Sequence, residues 1–139
     1  MRSLIFISVA FVIFCGCSGD DLLVNDNFKY DYSIEQSRSC FCPYSGEKVK
    51  IFVKADTIAD IIFLSNKSHL AYNWWQSYRT IKGLFREVSL WDDTVRFAVK
   101  VSYDPIFHYP SFISVNPKPF LGITDIGFAY ETKNYLKLR

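Results

Sequence analysis

Cysteine supplies the most reactive side chains of this sequence, which has four cysteines among its 139 residues. Cys40 and Cys42 flank Phe41 and precede Pro43 in the run CFCP. In a regular strand, residues i and i+2 lie about 6.5–7 Å apart, at the upper limit for a disulfide. A bond between these thiols therefore needs a bend, which Pro43 and the YSGE stretch after it favour. We predict a structural disulfide here, with thiol–disulfide redox chemistry as the alternative.

Adjacent tryptophans mark a second candidate site. Trp74 and Trp75 lie in SNKSHLAYNWWQSY, an irregular stretch over residues 65–78. Adjacent side chains do not easily face one core together, so at least one tryptophan is expected to be exposed and available to a partner. The alternative is that this stretch only caps the open end of a sheet.

The stretch YDPIFHYP, which contains Asp104, His108 and Tyr109, predicts a turn. Asp104 can cap backbone amides, Pro105 fixes its own φ, and Tyr109 begins the return strand. Asp104 and His108 could also form an acid–base pair, but no nucleophile completes a catalytic set. His69 and His108 match no metal-ligand spacing with the cysteines, so we predict no metal and no cofactor.

The N-terminal segment carries the features of an export signal. It is apolar from Leu4 to Phe14, apart from one serine, and is too short to cross a bilayer, which needs about 20 apolar residues in a helix. Gly16 supplies the small residue that precedes a cleavage point. The run FCGC resembles a bacterial lipobox, in which Cys17 takes a diacylglycerol group and becomes the new N-terminus. We predict a lipoprotein signal peptide over residues 1–16, with simple secretion as the alternative.

Lipidation at Cys17 would determine where the rest of the chain lies. Two acyl chains anchor a protein stably, whereas one chain holds only marginally. Residues 17–27 would form a polar tether, and residues 28–139 a single domain large enough for a core. Ser18 after the lipidated cysteine favours the outer over the inner membrane. We therefore expect a location in the bacterial cell envelope, on the periplasmic side.

The charge balance narrows the predicted partners. The chain has 16 basic and 14 acidic residues, a formal net charge of +2, and no basic block. It therefore lacks the clustered basic residues that bind nucleic acid, and also the polybasic patch that would make a second contact with the membrane. The expected partners are the membrane, through the lipid, and a protein or small molecule.

Alternation of apolar and polar residues predicts several strands with one solvent-facing side. It begins at Phe28, is regular over Lys48–Lys54, and continues over Thr57–Leu64 after an Ala55-Asp56 turn. It recurs over residues 95–103, 111–115 and 126–132. Because short turns join neighbouring strands, the sheet should be antiparallel.

One amphipathic helix is predicted after Thr80, with Thr80 or Ser77 as its N-cap. Its apolar stripe consists of Ile81, Leu84, Phe85 and Val88. We therefore expect an α+β fold, in which an antiparallel sheet of about six strands has one main helix packed on one face.

Together these stretches resemble a family of uncharacterised bacterial lipoproteins. This family is defined by a domain of unknown function. The resemblance covers Phe28 to about Tyr130 and rests on YDYSIEQSRSCFCP, TIKGLFREV and VSYDPIFHYPSFISVNP, which give a Tyr-x-Tyr, Cys-x-Cys and Tyr-Asp-Pro…Tyr-Pro signature. It implies a small lipid-anchored or secreted α+β domain with no catalytic residues to carry over. The family tends to have glycine before the Tyr-Pro pair, where this chain has His108, which argues against a tight turn of positive φ.

The predicted function is that of a membrane-anchored binding or interaction domain rather than an enzyme. The basis is the predicted location together with the lack of a complete catalytic set. The alternative is a thiol–disulfide redox protein that uses Cys40 and Cys42. The two functions can be distinguished by reduction. A structural disulfide should resist reduction, whereas a redox pair should cycle between its oxidised and reduced forms without unfolding the domain.

Overall fold

The computed structural model describes residue 28 and residues 30–91, 96–118 and 127–138. The predicted signal peptide and tether lie outside these residues, and so does Cys17. No helix in the part of the chain that is described combines the length and the apolar character that crossing a bilayer requires.

Six antiparallel strands form one sheet within the described residues, in the order β3-β2-β1-β6-β5-β4. The strands are β1 Tyr32–Cys40, β2 Lys48–Lys54, β3 Thr57–Phe63, β4 Phe97–Tyr103, β5 Pro110–Pro117 and β6 Phe128–Lys137. A 3₁₀ helix, Tyr72–Ser77, and an α-helix, α1 Ile81–Leu90, lie between β3 and β4 in the chain. The predicted strand starts at residues 95 and 126 lie outside the described residues.

The β2–β3 hairpin follows the predicted alternation. Val49, Ile51 and Val53 of β2 are buried on one face, because successive side chains of a strand point to opposite faces. The turn uses Ala55 and Asp56 with φ of 47° and 60°. Two left-handed residues give the turn a twist that matches the strands, even without glycine. The predicted hairpin is confirmed.

The start of α1 is joined to the sheet by hydrogen bonds. Thr80 is the N-cap, and its Oγ1 accepts a bond from Gly83 N at 3.1 Å. The hydroxyl of Tyr32 on β1 accepts a bond from Ile81 N at 2.9 Å. Two donors that the first turn leaves without helical partners are thus satisfied. The prediction of Thr80 as the N-cap is confirmed.

The predicted α+β class is wrong, because the protein is mostly β. α1 has ten residues and is about 15 Å long, whereas six strands about 4.8 Å apart span roughly 24 Å. One helix of this length covers only part of a sheet face. Leu70, Trp74, Trp75 and Tyr78 from the stretch before α1 pack on the rest.

The core lies on that one face and has two clusters. The first cluster joins the buried residues of β1, β2 and β3 to Leu70, Tyr78 and Ile81. The second cluster joins Leu84 of α1 to residues of β5 and β6, namely Ile113, Val115 and Tyr130. An open cleft lies beside the second cluster.

Candidate functional site

An open cleft lies between the C-terminal part of α1 and the paired strands β1 and β6. Its volume is about 490 Å³, and we call it the arginine cleft. It is lined by Arg38, Arg79, Glu87, Leu90, Trp91, Phe128 and Tyr130. Apolar walls with a few convergent polar groups are the usual composition of a small-molecule site.

Two arginines contact one aromatic ring at this cleft. Arg38 on β1 pairs across strands with Tyr130 on β6, so their side chains share a face. The guanidinium carbon of Arg38 lies 5.7 Å from the centroid of the Tyr130 ring. The guanidinium carbon of Arg79 lies 5.8 Å from the same centroid. Both distances allow a cation–π interaction, so Tyr130 holds two cations at the cleft wall.

Arg79 is held firmly, and its charge is balanced. Its Nε donates to Glu87 Oε1 at 2.6 Å. Glu87 Oε2 accepts a further bond from Trp91 Nε1 at 3.2 Å. The amide of buried Gln36 holds the Arg79 backbone, since its Oε1 accepts from Arg79 N at 3.0 Å and its Nε2 donates to Arg79 O at 3.3 Å. Together these bonds, of which the two to the Glu87 carboxylate are charge-assisted, hold both members of the ion pair.

Arg38 differs from Arg79 because no carboxylate of the described residues forms an ion pair with it. Its Nε is buried and has no hydrogen-bond partner in this part of the chain. An unpaired buried donor costs about 1–3 kcal/mol. The cleft therefore contains one neutralised guanidinium and one with an unused donor.

The Tyr130 ring is a neutral platform between these groups. Burial raises the pKa of Tyr130, although Arg79 and Arg38 oppose the shift. Its hydroxyl therefore stays protonated at neutral pH and donates to Ser77 O at 3.3 Å.

The predicted cysteine pair lies at the end of β1 next to the cleft. Cys40 pairs across strands with Phe128, which lines the cleft. The Cα atoms of Cys40 and Cys42 are 5.2 Å apart, within the range that a disulfide requires. The chain then bends, with positive φ at Tyr44 and Gly46. The predicted bend is confirmed, whereas the disulfide and its redox alternative stay predictions.

The predicted tryptophan site lies elsewhere on the domain. Trp74 and Trp75 are both half-buried on the 3₁₀ helix, pack against the first core cluster, and do not line the arginine cleft. Trp75 Nε1 donates to Leu70 O at 2.9 Å. Tyr72 of the same helix is 79% exposed and meets the Trp75 ring at 5.0 Å between centroids. A role of the two tryptophans in partner binding stays a prediction.

The loop between β4 and β5 contains the third predicted site. Asp104 Oδ1 accepts bonds from Ile106 N at 2.9 Å and Phe107 N at 2.7 Å, so the predicted turn forms. His108 N donates to the backbone oxygen of Asp104 at 3.0 Å. No side-chain hydrogen bond joins Asp104 to His108 in this loop. The structure therefore does not bring them together as an acid–base pair.

His108 has a φ of 59°. The expectation that this chain lacks a positive-φ turn before Tyr109, because it lacks the glycine, is therefore wrong. A left-handed conformation costs about 1–2 kcal/mol for a residue with a side chain. The closing bond from Asp104 N to Tyr109 O, at 2.8 Å, helps to offset that cost.

Metal ligands do not converge in the described residues, where no three side chains of His, Cys, Asp or Glu come together. His69 is exposed, and its Nδ1 lies 2.9 Å from Asp60 Oδ1. It thus contributes to a surface pair with one carboxylate.

The sequence matches the model of a family of unknown function, DUF6174, over residues 25–135. This match spans most of the chain. The chain belongs to the DUF6174 family. No curated protein and no solved structure matches it. Membership in DUF6174 confirms the resemblance to a domain of unknown function, whereas bacterial origin, the lipoprotein character and the signature motifs stay predictions.

The arginine cleft of this DUF6174 domain was missed by the sequence interpretation. Two features of the sequence indicate this cleft. Arg38 follows Tyr32, Ile34 and Gln36 at the spacing of the buried face of β1. Glu87 lies on the buried side of α1, with Ile81 and Leu84. Charged residues at core-facing positions are rarely buried without a partner, so both positions pointed to a polar site beneath the helix.

Proposed function

We propose that this DUF6174 protein is a lipid-anchored protein of the bacterial cell envelope, and that its domain binds a small ligand in the arginine cleft without catalysing a reaction. The observation that supports binding is the unpaired Arg38 guanidinium in an open cleft with aromatic walls. The volume of about 490 Å³ falls within the range of small-molecule sites, about 300–1,000 Å³.

The proposed location is supported by the N-terminal sequence. A short apolar run ends at the FCGC run, and a polar stretch over residues 17–27 separates Cys17 from the domain. A tether of this length spans at most about 40 Å when fully extended. Lipidation of Cys17 would therefore keep the domain within reach of the membrane surface.

Intact mass spectrometry tests the anchor. In protein isolated from bacterial membranes, we expect a chain that begins at Cys17 and carries a diacylglycerol group. A Cys17→Ser variant should remain uncleaved and lack the lipid. Cys15→Ser is the matched control, because Cys15 lies in the removed segment and its loss should not prevent lipidation. A wild-type chain that is soluble and without lipid would refute the proposed location.

The same sample, alkylated before and after reduction, distinguishes the two roles of Cys40 and Cys42. Two thiols released only by strong reductant support a structural disulfide beside the cleft. Thiols that are free, or that open at a mild potential, support the redox alternative, because strained or exposed disulfides are the labile ones.

Nuclear magnetic resonance with isotope-labelled protein tests ligand binding. We expect naphthylacetate, naphthylacetamide or both to shift the indole N–H signal of Trp91, which lines the cleft. The indole signal of Trp75, whose Nε1 is bonded to Leu70 O, should not move. A Trp91→Phe variant assigns the signal. If neither of these probes nor naphthyl phosphate shifts Trp91 at millimolar concentration, the proposed binding function is wrong.

A further inference from the structure

We infer that the arginine cleft recognises a monocarboxylate whose remaining part is apolar or aromatic. This inference rests on the proposed function, because it names the ligand class of the same cleft. Three features of the described residues support it: the charge of the cleft, the geometry of the free guanidinium and the nature of the walls.

The charge of the cleft matches a ligand with a single negative charge. Arg79 and Glu87 neutralise each other, so Arg38 supplies the one uncompensated charge of the lining. A phosphate monoester carries about −1.5 to −2 charges at neutral pH. Arg38 would compensate only part of this charge, because Arg79 is already paired with Glu87. A monoanion leaves no excess negative charge in the cleft.

The free guanidinium has the geometry for a carboxylate. A guanidinium is a planar fork of N–H donors whose spacing fits the two oxygens of a carboxylate. The Arg38 side chain lines the cleft, and its guanidinium carbon lies over the Tyr130 ring at 5.7 Å from the centroid. Its fork is not engaged by a carboxylate of the described residues. The missing partner is therefore one that a ligand can supply.

The walls of the cleft fit an apolar or aromatic body. Trp91 and Phe128 meet edge to face at 5.5 Å between centroids, and Phe128 meets Tyr130 at 5.6 Å. Leu90, at the end of α1, is 75% exposed although it is apolar. A ligand with an apolar body would bury parts of these side chains. A small inorganic anion would leave them in water.

Titration of the protein with three matched naphthyl probes tests the inference. The probes are naphthylacetate, neutral naphthylacetamide and naphthyl phosphate, and the Trp91 indole signal reports binding. We expect the carboxylate to bind at least about tenfold more tightly than the amide, because a charge-assisted bond to Arg38 forms only with the acid. The phosphate should bind more weakly than the carboxylate.

Substitution of Arg38 tests whether this residue causes the preference for the carboxylate over the amide. Arg38→Met keeps the stem but removes the fork, and should reduce the affinity for the carboxylate to that for the amide. Arg38→Lys keeps the charge and should retain only part of the preference. Lys50→Met is the matched control, since Lys50 lies over the Phe52 ring outside the cleft and carries the same charge. It should change the affinity for the carboxylate by less than about twofold.

The possible results distinguish a failure of the inference from a failure of the proposed function. If amide and carboxylate bind equally, the cleft is a ligand site but the inference is wrong. If the phosphate binds most tightly, the ligand class is a phosphate instead. If no probe binds, both the inference and the proposed function fail. Should Arg38→Met not fold, the ratio of carboxylate to amide affinity in the wild-type protein still decides the question.

Discussion

Replacing Gln36 with leucine is expected to lower the free energy of unfolding by about 2–4 kcal/mol. Gln36 is 1% exposed, and its amide bonds both backbone groups of Arg79. Its Nε2 also donates to Thr132 Oγ1 at 3.0 Å. Leucine has a similar volume but satisfies none of these groups. The backbone N–H and C=O of Arg79 would then lack their partner, and each costs about 1–3 kcal/mol if left unpaired.

Urea unfolding followed by tryptophan fluorescence measures this loss. Gln76→Leu is the matched control, because Gln76 is exposed on the 3₁₀ helix and should change stability by less than about 0.5 kcal/mol. An equal loss in both variants would show that the Gln36 amide has no special role. A large loss at Gln36 alone would show that the bonds of its buried amide to Arg79 and Thr132 stabilise the fold.

Elements whose shape depends on neighbours in sequence were predicted well. The alternation of residues in β2 correctly predicted which of its faces is buried. Thr80, the N-cap of α1, was one of the two residues predicted for that position. β1 shows the limit of such patterns, because it begins at Tyr32 and not at Phe28. Tyr32 pairs with Lys137, the last residue of β6, and with Val53, one residue before β2 ends. Phe28 instead packs edge to face against Tyr109, at 6.2 Å between centroids.

The fold class and the cleft depend on contacts between distant parts of the chain. The apolar stripe of α1 predicted a helix correctly, but it contains no information on how much of the sheet that helix covers. Arg38, Arg79 and Tyr130 meet only because β1 pairs with β6 and α1 crosses the same face. Antiparallel pairing of the first and last strands could not be chosen from local periodicity, which is the same for every partner strand.

Alkaline pH is expected to unfold the protein, because buried tyrosines must stay protonated in the folded state. Burial raises the pKa of Tyr109 to about 12, and the Asp104 carboxylate adds to the shift. Burial is also the main cause of the raised pKa of Tyr32, Tyr78, Tyr130 and Tyr135. Since the pKa is higher in the folded than in the unfolded chain, the unfolded chain loses its protons first. The stabilisation is complete below the unfolded pKa, about 10, and is lost as pH rises towards 12.

Each shifted tyrosine that titrates only on unfolding reduces stability by about 1.4 kcal/mol per pH unit in this window. Several such groups can therefore remove a typical stability of about 5–15 kcal/mol before pH 12. Circular dichroism and tyrosinate absorbance, recorded together against pH, should show a cooperative step in which structure is lost and the tyrosinate signal of the buried hydroxyls appears. Tyr109→Phe should move the midpoint upward, whereas Tyr103→Phe, at a half-exposed position, should not. Complete ionisation of all the tyrosines in a protein that keeps its circular dichroism would contradict the prediction, because the buried hydroxyls would then ionise within the folded core.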